Sequence, residues 1–225
     1  MEIHKPKPWH GLREFLNEYL IIVIGVLTAL AAEQAVEALR VGSEVREARA
    51  AIHAEMRVDL RKLLLEQREY ACYASRMAAM AAWARGDAPR PKPGVGPLFE
   101  GLSSNAWETA KTGAVPHMGL DERLALGDFY GGIDNQLSMI RLLRQQSNEL
   151  AGYLDRDKLD PEEGHALARL SAQVRAYLHA ESRNIPGLLS AGARLGVQPG
   201  PPVADREARI DALCAAYPPG PEGFR

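Results

Sequence analysis

Residues Tyr19–Ala32 read YLIIVIGVLTALAA, apolar on every face of a helix, and no water-soluble surface accommodates such a run. At about 1.5 Å rise per residue, its about 14 residues reach about 21 Å, short of a hydrocarbon core of about 30 Å. Extension to 15–36, about 22 residues, gives enough length to span. Asn17 and Glu18 then sit at one rim, and Glu33 and Gln34 at the other. Carboxylates there reach the headgroups at far lower cost than at the bilayer centre. Trp9 and Tyr19 suit the near interface, where amphipathic rings collect. The expectation is one transmembrane helix.

Two other readings use the same residues. Ala29-Leu30-Ala31 is an A-x-A cleavage pattern behind an apolar core, as in a signal peptide, but Glu14 and Glu18 lie right beside that core. A run of about 10–14 apolar residues also fits a helix buried in a soluble protein. Against that, nothing else in the chain is hydrophobic enough to cover the run all round. Gly25, Ala29 and Ala32 fall on one helix face and, with Glu33, are candidates for a close transmembrane helix contact. Plain interfacial solvation is the simpler account of Glu33 and Gln34.

Lys5, Lys7 and Arg13 precede the span, and Arg40, Arg46 and Arg49 follow it, so positive charge scarcely decides orientation. The short basic leader Lys5-Pro6-Lys7-Pro8 favours a cytoplasmic N-terminus. So does the cysteine count. Cys72 and Cys214 are too few for a disulfide scaffold or a cysteine-only zinc site, yet enough for one bridge in an oxidising compartment. Two unrelated buried thiols are the alternative. The expected placement is a bacterial inner membrane, with the C-terminal domain periplasmic.

The helical pattern hardly pauses after Val36. Gly42-Ser43 is expected to be a flexible joint. From Glu44 to about Arg85, the residues Val45, Ile52, Met56, Leu60, Leu63, Leu64, Met77, Met80 and Trp83 mark an apolar stripe. A proline- and glycine-rich connector follows over 85–97. Asn105 and Glu108 stand in capping-box spacing, so a short helix is expected from Ala106 to about Thr112, stopped by Gly113. Asp121 and Glu122 open a longer helix to about Leu154, weakened by Gly127, Gly131 and Gly132, which suggest a bend or a close crossing near Trp107. Asp160-Pro161-Glu162-Glu163 is a strong helix start, and Pro186 is expected to kink or restart that helix. A last helix is expected near 205–217. No alternating strand pattern occurs, and aromatic residues are only 6%, which favours helix over sheet.

The fold expected is all-α: an N-terminal transmembrane helix continuing into an up-and-down bundle of three to four main helices. Its divisions are a basic leader at 1–14, the span at 15–36, a helical domain at 37–197, and a short helix and tail at 198–225.

Two segments resemble a known group. One is Glu18 to Leu30, EYLIIVIGVLTAL; the other is Asn105 to Ala114, NAWETAKTGA, followed by Leu124 to Tyr130. Together they are similar to a broad family of bacterial single-pass membrane proteins classed as a domain of unknown function. Its members have a glutamate before an I-V-I-G-V-L-x-A-L anchor and a later aromatic-Glu-x-x-Lys turn. The likeness covers about a quarter of the chain. It implies a membrane-anchored helical protein and carries over no active site.

No signature for a reaction emerges from the residues. His4, His10, His53, His117, His165 and His179 form no zinc-binding pattern. Glu162, Glu163 and His165 are explained by a solvated helix start. Gly94-Val95-Gly96 is no dinucleotide loop, because Phe99 stands where the third glycine is needed. Met56, Met77 and Met80 read as core rather than haem ligands. The best specific candidate is the Trp107, Glu108, Lys111, Gly113 turn, read as structural, with a small-ligand or partner pocket as the alternative. A net charge of −2 gives no reason to expect nucleic acid. The expected role is non-enzymatic and cofactor-free: an accessory subunit of a membrane complex, or a self-assembling protein. Its partners would be the lipid bilayer and other proteins, met through the transmembrane and long helices. The alternative is a single-pass sensory or small-ligand-binding helical domain.

Overall fold

The computed structural model describes residues 11–91, 101–156 and 158–220. The readings on His4, Lys5-Pro6-Lys7-Pro8, Trp9, His10, Gly94-Val95-Gly96, Phe99 and the segment 221–225 lie outside them. Among the described residues all regular structure is helical. The elements are α1 (Leu12–Ala84), α2 (Asn105–Ala110), a single 3-10 turn (Val115–His117), α3 (Leu120–Leu154), α4 (Pro161–Arg194) and α5 (Ala204–Ala216).

The chain divides into two units, one ending at Glu47 and the other beginning at Ala48. The C-terminal helix belongs to the second unit. The expected joint at Gly42-Ser43 is absent, and α1 runs through both residues. One glycine costs a helix only about 1 kcal/mol. Ser43 Oγ returns a hydrogen bond to the Arg40 carbonyl (2.8 Å) instead of breaking the turn.

In the first unit the apolar side chains face outward. Ile21 and Ile22 are 63% and 64% exposed, and Gly25 has open space around it. By length and composition, α1 is a helix able to cross a membrane. Thr28 satisfies its hydroxyl within the helix by donating to the Ile24 carbonyl (2.8 Å).

The second unit is built on a repeat of 3.5 residues. On α1, Ile52, Met56, Asp59, Leu63, Glu66, Tyr70, Tyr73, Met77 and Met80 are buried at alternating spacings of four and three. On α3 the same alternation runs through Leu126, Phe129, Ile133, Gln136, Ile140 and Leu143. On α4 it runs through Leu167, Ser171, Val174, Leu178, Glu181, Ile185 and Leu188. Such a repeat keeps one seam of each helix turned to its neighbours.

Helices α3 and α4 form an up-and-down pair that crosses where Gly132 meets Leu188: a Cβ on Gly132 would lie 2.5 Å from Leu188 Cδ2. The close crossing is thus made with α4 and not with the Trp107 segment, while Gly127 and Gly131 face open space. Helix α4 also runs antiparallel to α1, with Gly164 against the Ala84 carbonyl and Gly192 against Leu60. Helix α3 runs parallel to α1, since Arg49 pairs with Glu122 (2.6 Å) and Tyr73 meets Ser147 (3.3 Å). The long connection after α1 makes this direction available. It starts beside Leu154, whose carbonyl accepts from Arg90, and returns to Lys62, which donates to the Gly101 carbonyl (2.7 Å).

Helix ends follow local chemistry. Asp160 and Glu163 form a complete capping box ahead of Pro161. Gly86 and Gly196 take φ of +80° and +72°, which a side chain resists, and end α1 and α4. After Gly196, the Val197 N–H donates to the Gly192 carbonyl (2.9 Å) and the Gly196 N–H to Ala193 (3.0 Å), closing the last turn. Pro186 does not restart α4, which continues to Arg194.

Candidate functional site

The Trp107 turn is held from α1. Asn105 is the first residue of α2 and not its cap, and Ser104 before it makes no side-chain cap. The expected box with Glu108 is absent, because a stronger acceptor arrives from elsewhere. Glu55 Oε2 accepts from the Ala106 N–H (3.0 Å) and from Ser103 Oγ (2.6 Å), while Oε1 accepts from the Tyr130 hydroxyl (2.9 Å). Burial works to raise the Glu55 carboxyl, but bonds from Ser103, Ala106, Tyr130 and Trp107 together hold it below its usual range. One turn on, Asp59 accepts from the Ser103 N–H (3.1 Å) and lies beside Lys62 (3.5 Å). Its burial wins, and the carboxyl is pushed up to about 6.

Trp107 lies flat on Tyr130, with centroids 5.2 Å apart and planes 8° apart. Glu108 and Lys111 pair on the exposed side of the same short helix. Gly113 follows in the turn, its N–H donating to the Ala110 carbonyl (3.2 Å). It is not among the left-handed glycines, so it does not act as a helix stop of that kind. The clasp between α1, α2 and α3 is made by Glu55, Ser103, Ala106, Trp107 and Tyr130, while Glu108, Lys111 and Gly113 make only local contacts.

A second constellation lies inside the bundle. Glu66, Glu69 and Tyr70 of α1, Gln136 of α3, Glu181 of α4 and Arg206 of α5 are each no more than 3% exposed. Arg206 lies 3.9 Å from Glu69, and Gln136 Nε2 donates to the Tyr70 hydroxyl (3.5 Å). Burial pushes the Glu66 carboxyl up to about 8; Arg206 opposes this and Glu69 reinforces it. Glu181 is raised by burial against a hydrogen bond from Asn184. Tyr70 is raised by burial and by Glu66 and Glu69 beside it. Neither oxygen of Glu66 has a well-formed hydrogen bond. Burial thus favours the protonated form of this side chain. Among the described residues no three His, Cys, Asp or Glu side chains are grouped to hold a metal ion.

Cys72 and Cys214 are joined, with Cα atoms 5.1 Å apart, across 142 residues of sequence. The bridge fastens α5 to α1 along a line continued by Arg61–Glu207 and by Arg68–Asp211 (2.6 Å). Gly25, Ala29, Ala32 and Glu33 remain exposed in the first unit, and no neighbour is recorded within 4 Å of a Cβ placed at Gly25. Glu163 of the Glu162, Glu163, His165 group is occupied by the capping box and by Arg156. Met56, Met77 and Met80 are core.

Sequence reasoning passed over Glu55, Asp59, Glu66, Glu69, Gln136, Glu181 and Arg206. The available signal was the 3.5-residue spacing, which places Asp59, Glu66, Gln136 and Glu181 on the buried seams although they are polar. No protein-family model matches the chain significantly, and neither does any curated protein or solved structure.

Proposed function

We propose that the chain is a single-pass inner-membrane protein, with its N-terminus cytoplasmic and its helical unit in the periplasm. It acts without catalysis, as an accessory subunit of a membrane complex or in self-assembly. The observation that carries this reading is the stretch 15–36, whose run Tyr19–Ala32 is apolar on all sides and which is exposed along nearly its whole length. The Cys72–Cys214 bridge supports the oxidising side for the second unit. The likeness of 18–30 and 105–114 to a bacterial single-pass family agrees with it. The face of Gly25, Ala29, Ala32 and Glu33 is the natural place for a second helix to approach.

Thiol labelling in intact cells tests the placement. An impermeant reagent is expected to label Cys72 and Cys214 only after reduction, with the inner membrane intact. Labelling without reductant, and only once that membrane is breached, reverses the orientation. Recovery of the full-length chain in the soluble fraction removes the membrane reading altogether. For assembly, crosslinking in cells followed by native mass measurement in detergent is expected to give species heavier than one chain. A lone monomer in both refutes it. The second reading, a sensory or small-ligand-binding domain, draws on the buried Glu66, Gln136 and Glu181 group. Thermal stabilisation by a small molecule, lost in Glu181→Gln, would support that reading.

A further inference from the structure

Helix α5 is short, and its covalent tie to the rest of the bundle is the bond from Cys214 to Cys72 on α1. It has 13 residues, a length at which an isolated helix is marginal. It buries only Arg206, Ile210 and Leu213. Its outer ion pair, Arg68–Asp211, is more than half exposed on both sides and adds little. The chain leading to it is pinned as far as Gly200, whose N–H donates to the Arg57 carbonyl (2.7 Å). Pro201 and Pro202 follow and end that hold, because neither carries an N–H. Beyond them α5 meets α1 through the Arg61–Glu207, Arg68–Asp211 and Arg206–Glu69 pairs, and the covalent tie is the Cys72–Cys214 bond. Cys72 is 1% exposed, whereas Cys214 is partly open to solvent.

What α5 covers is the acidic group. Facing Glu66 and Glu69 are Lys62, Tyr70 and Tyr73 from α1, Gln136 from α3 and Arg206 from α5, with Glu181 of α4 beside Tyr70. Arg206 is the cation that α5 brings to them.

We propose that α5 is a redox-released lid: reduction of Cys72–Cys214 frees it, withdraws Arg206, and opens the Glu66–Glu69 cluster to water and to proton exchange. The reductant is a dithiol protein of the thiol–disulfide exchange class. One of its thiolates attacks Cys214 Sγ, the accessible sulfur, and expels the Cys72 thiolate, which takes up a proton. The second partner thiol then displaces Cys214 from the mixed disulfide. Both cysteines end as thiols, reduced by two electrons, and the partner that supplied those electrons ends as a disulfide. Redox state and protonation are thereby linked. Burial is the largest influence raising Glu66, so opening lets it ionise, and the open form gains over the closed form as pH rises through the neutral range.

Backbone hydrogen exchange on the full-length chain in detergent tests this, comparing the bridged protein, the protein reduced with a small dithiol, and Cys72→Ser/Cys214→Ser. After reduction, amides of 204–216 are expected to exchange at least about tenfold faster, with those of α3 and α4 changing far less. The double serine variant should match the reduced protein. In the reduced protein, the excess exchange of α5, corrected for intrinsic rates, should grow severalfold from about pH 6 to about pH 8.5. Glu66→Gln/Glu69→Gln should remove that growth. Unchanged α5 exchange after verified reduction overturns the lid. Equal acceleration across α3, α4 and α5 overturns it too, since the bridge is then only a staple for the whole unit. A pH dependence that survives Glu66→Gln/Glu69→Gln overturns the link to the acidic cluster.

Discussion

Replacing Glu66 by glutamine removes one ionisable proton from the core while keeping nearly the same shape. Burial places the carboxyl at about 8 in the folded chain, against an ordinary value of 4.5. Between those pH values the folded state holds a proton that the unfolded state has lost. The stability contributed by protonated Glu66 is therefore complete below about pH 4.5 and is lost as pH rises through about 8. At about 1.4 kcal/mol per pH unit, the interval gives an upper bound near 5 kcal/mol, and local entry of water lowers it to about 2–5 kcal/mol. For a chain of this size that is about 5–15 °C in melting temperature. Thermal melts of the full-length protein in detergent, followed by far-ultraviolet circular dichroism from about pH 5 to about pH 9, measure it. His53 works in the opposite sense, because burial lowers it and its neutral form is favoured as pH rises. The informative quantity is thus the difference between Glu66→Gln and the parent chain at each pH. The variant should be close to the parent at about pH 4.5, gain on it progressively as pH rises to about 8, and hold a constant advantage above that. Parallel melting curves across the range would falsify the assignment of a buried protonated carboxyl.

Glu55→Ala leaves the Ala106 N–H, the Ser103 hydroxyl and the Tyr130 hydroxyl without their shared acceptor, at a cost of about 2–4 kcal/mol, whereas Glu55→Gln keeps an acceptor and loses about half as much. Equal losses in denaturant titrations would mean the charge, not the cap, matters. The Glu55 carboxyl is held low, so its contribution should be present above about pH 4.5 and fade as pH falls through its folded value. Gly164→Ala places a methyl 2.6 Å from the Ala84 carbonyl oxygen, which is backbone and cannot turn aside. A net loss of about 1–2 kcal/mol is expected after the gain in helix propensity, and a neutral or stabilising result contradicts the close crossing.

Most of the fold was readable because its signals are local. Asp160-Pro161-Glu162-Glu163 announces α4 with groups three residues apart, and that capping box is present. The long apolar stretch, the proline-rich breaks and the short last helix are of the same kind. The α2 cap was misread because its acceptor, Glu55, lies 51 residues earlier than the N–H it receives. Sequence proximity favoured Asn105 and Glu108, whereas a carboxylate presented by a neighbouring helix bonds several donors at once. The acidic cluster was missed for a different reason. Glu66, Glu69 and Glu181 carry no motif spacing, and the apolar stripe alone does not name them. The spacing that carries Leu63 inward also carries Glu66 and Tyr70 inward. A repeat of 3.5, followed without regard to residue type, would have marked Glu66, Gln136 and Glu181.

Polar residues on these seams have a consequence for register. Leucine in place of Glu66, Gln136 and Glu181 would bury more apolar surface and lose no paired charge beyond Arg206, which keeps Glu69. The triple variant Glu66→Leu/Gln136→Leu/Glu181→Leu is therefore expected to be more stable than the parent by a few kcal/mol, about 2–4. It should also be less singular. With seams of identical period and no polar layer, α1 sliding by one heptad against α3 and α4 meets much the same apolar surface, and single polar seam residues are known to fix such registers. One heptad is a displacement of about 10 Å along the axis. In the slipped register the residues of α1 meet different neighbours, so their amide resonances should appear as a second set. Nuclear magnetic resonance of the full-length chain in detergent should therefore show peak doubling in the triple variant and a single set in the parent. If the triple variant gives a single set of peaks and melts at a higher temperature, the polar layer does not set the register. The Glu55 clasp and the Gly132, Gly164 and Gly192 crossings are then sufficient to do so.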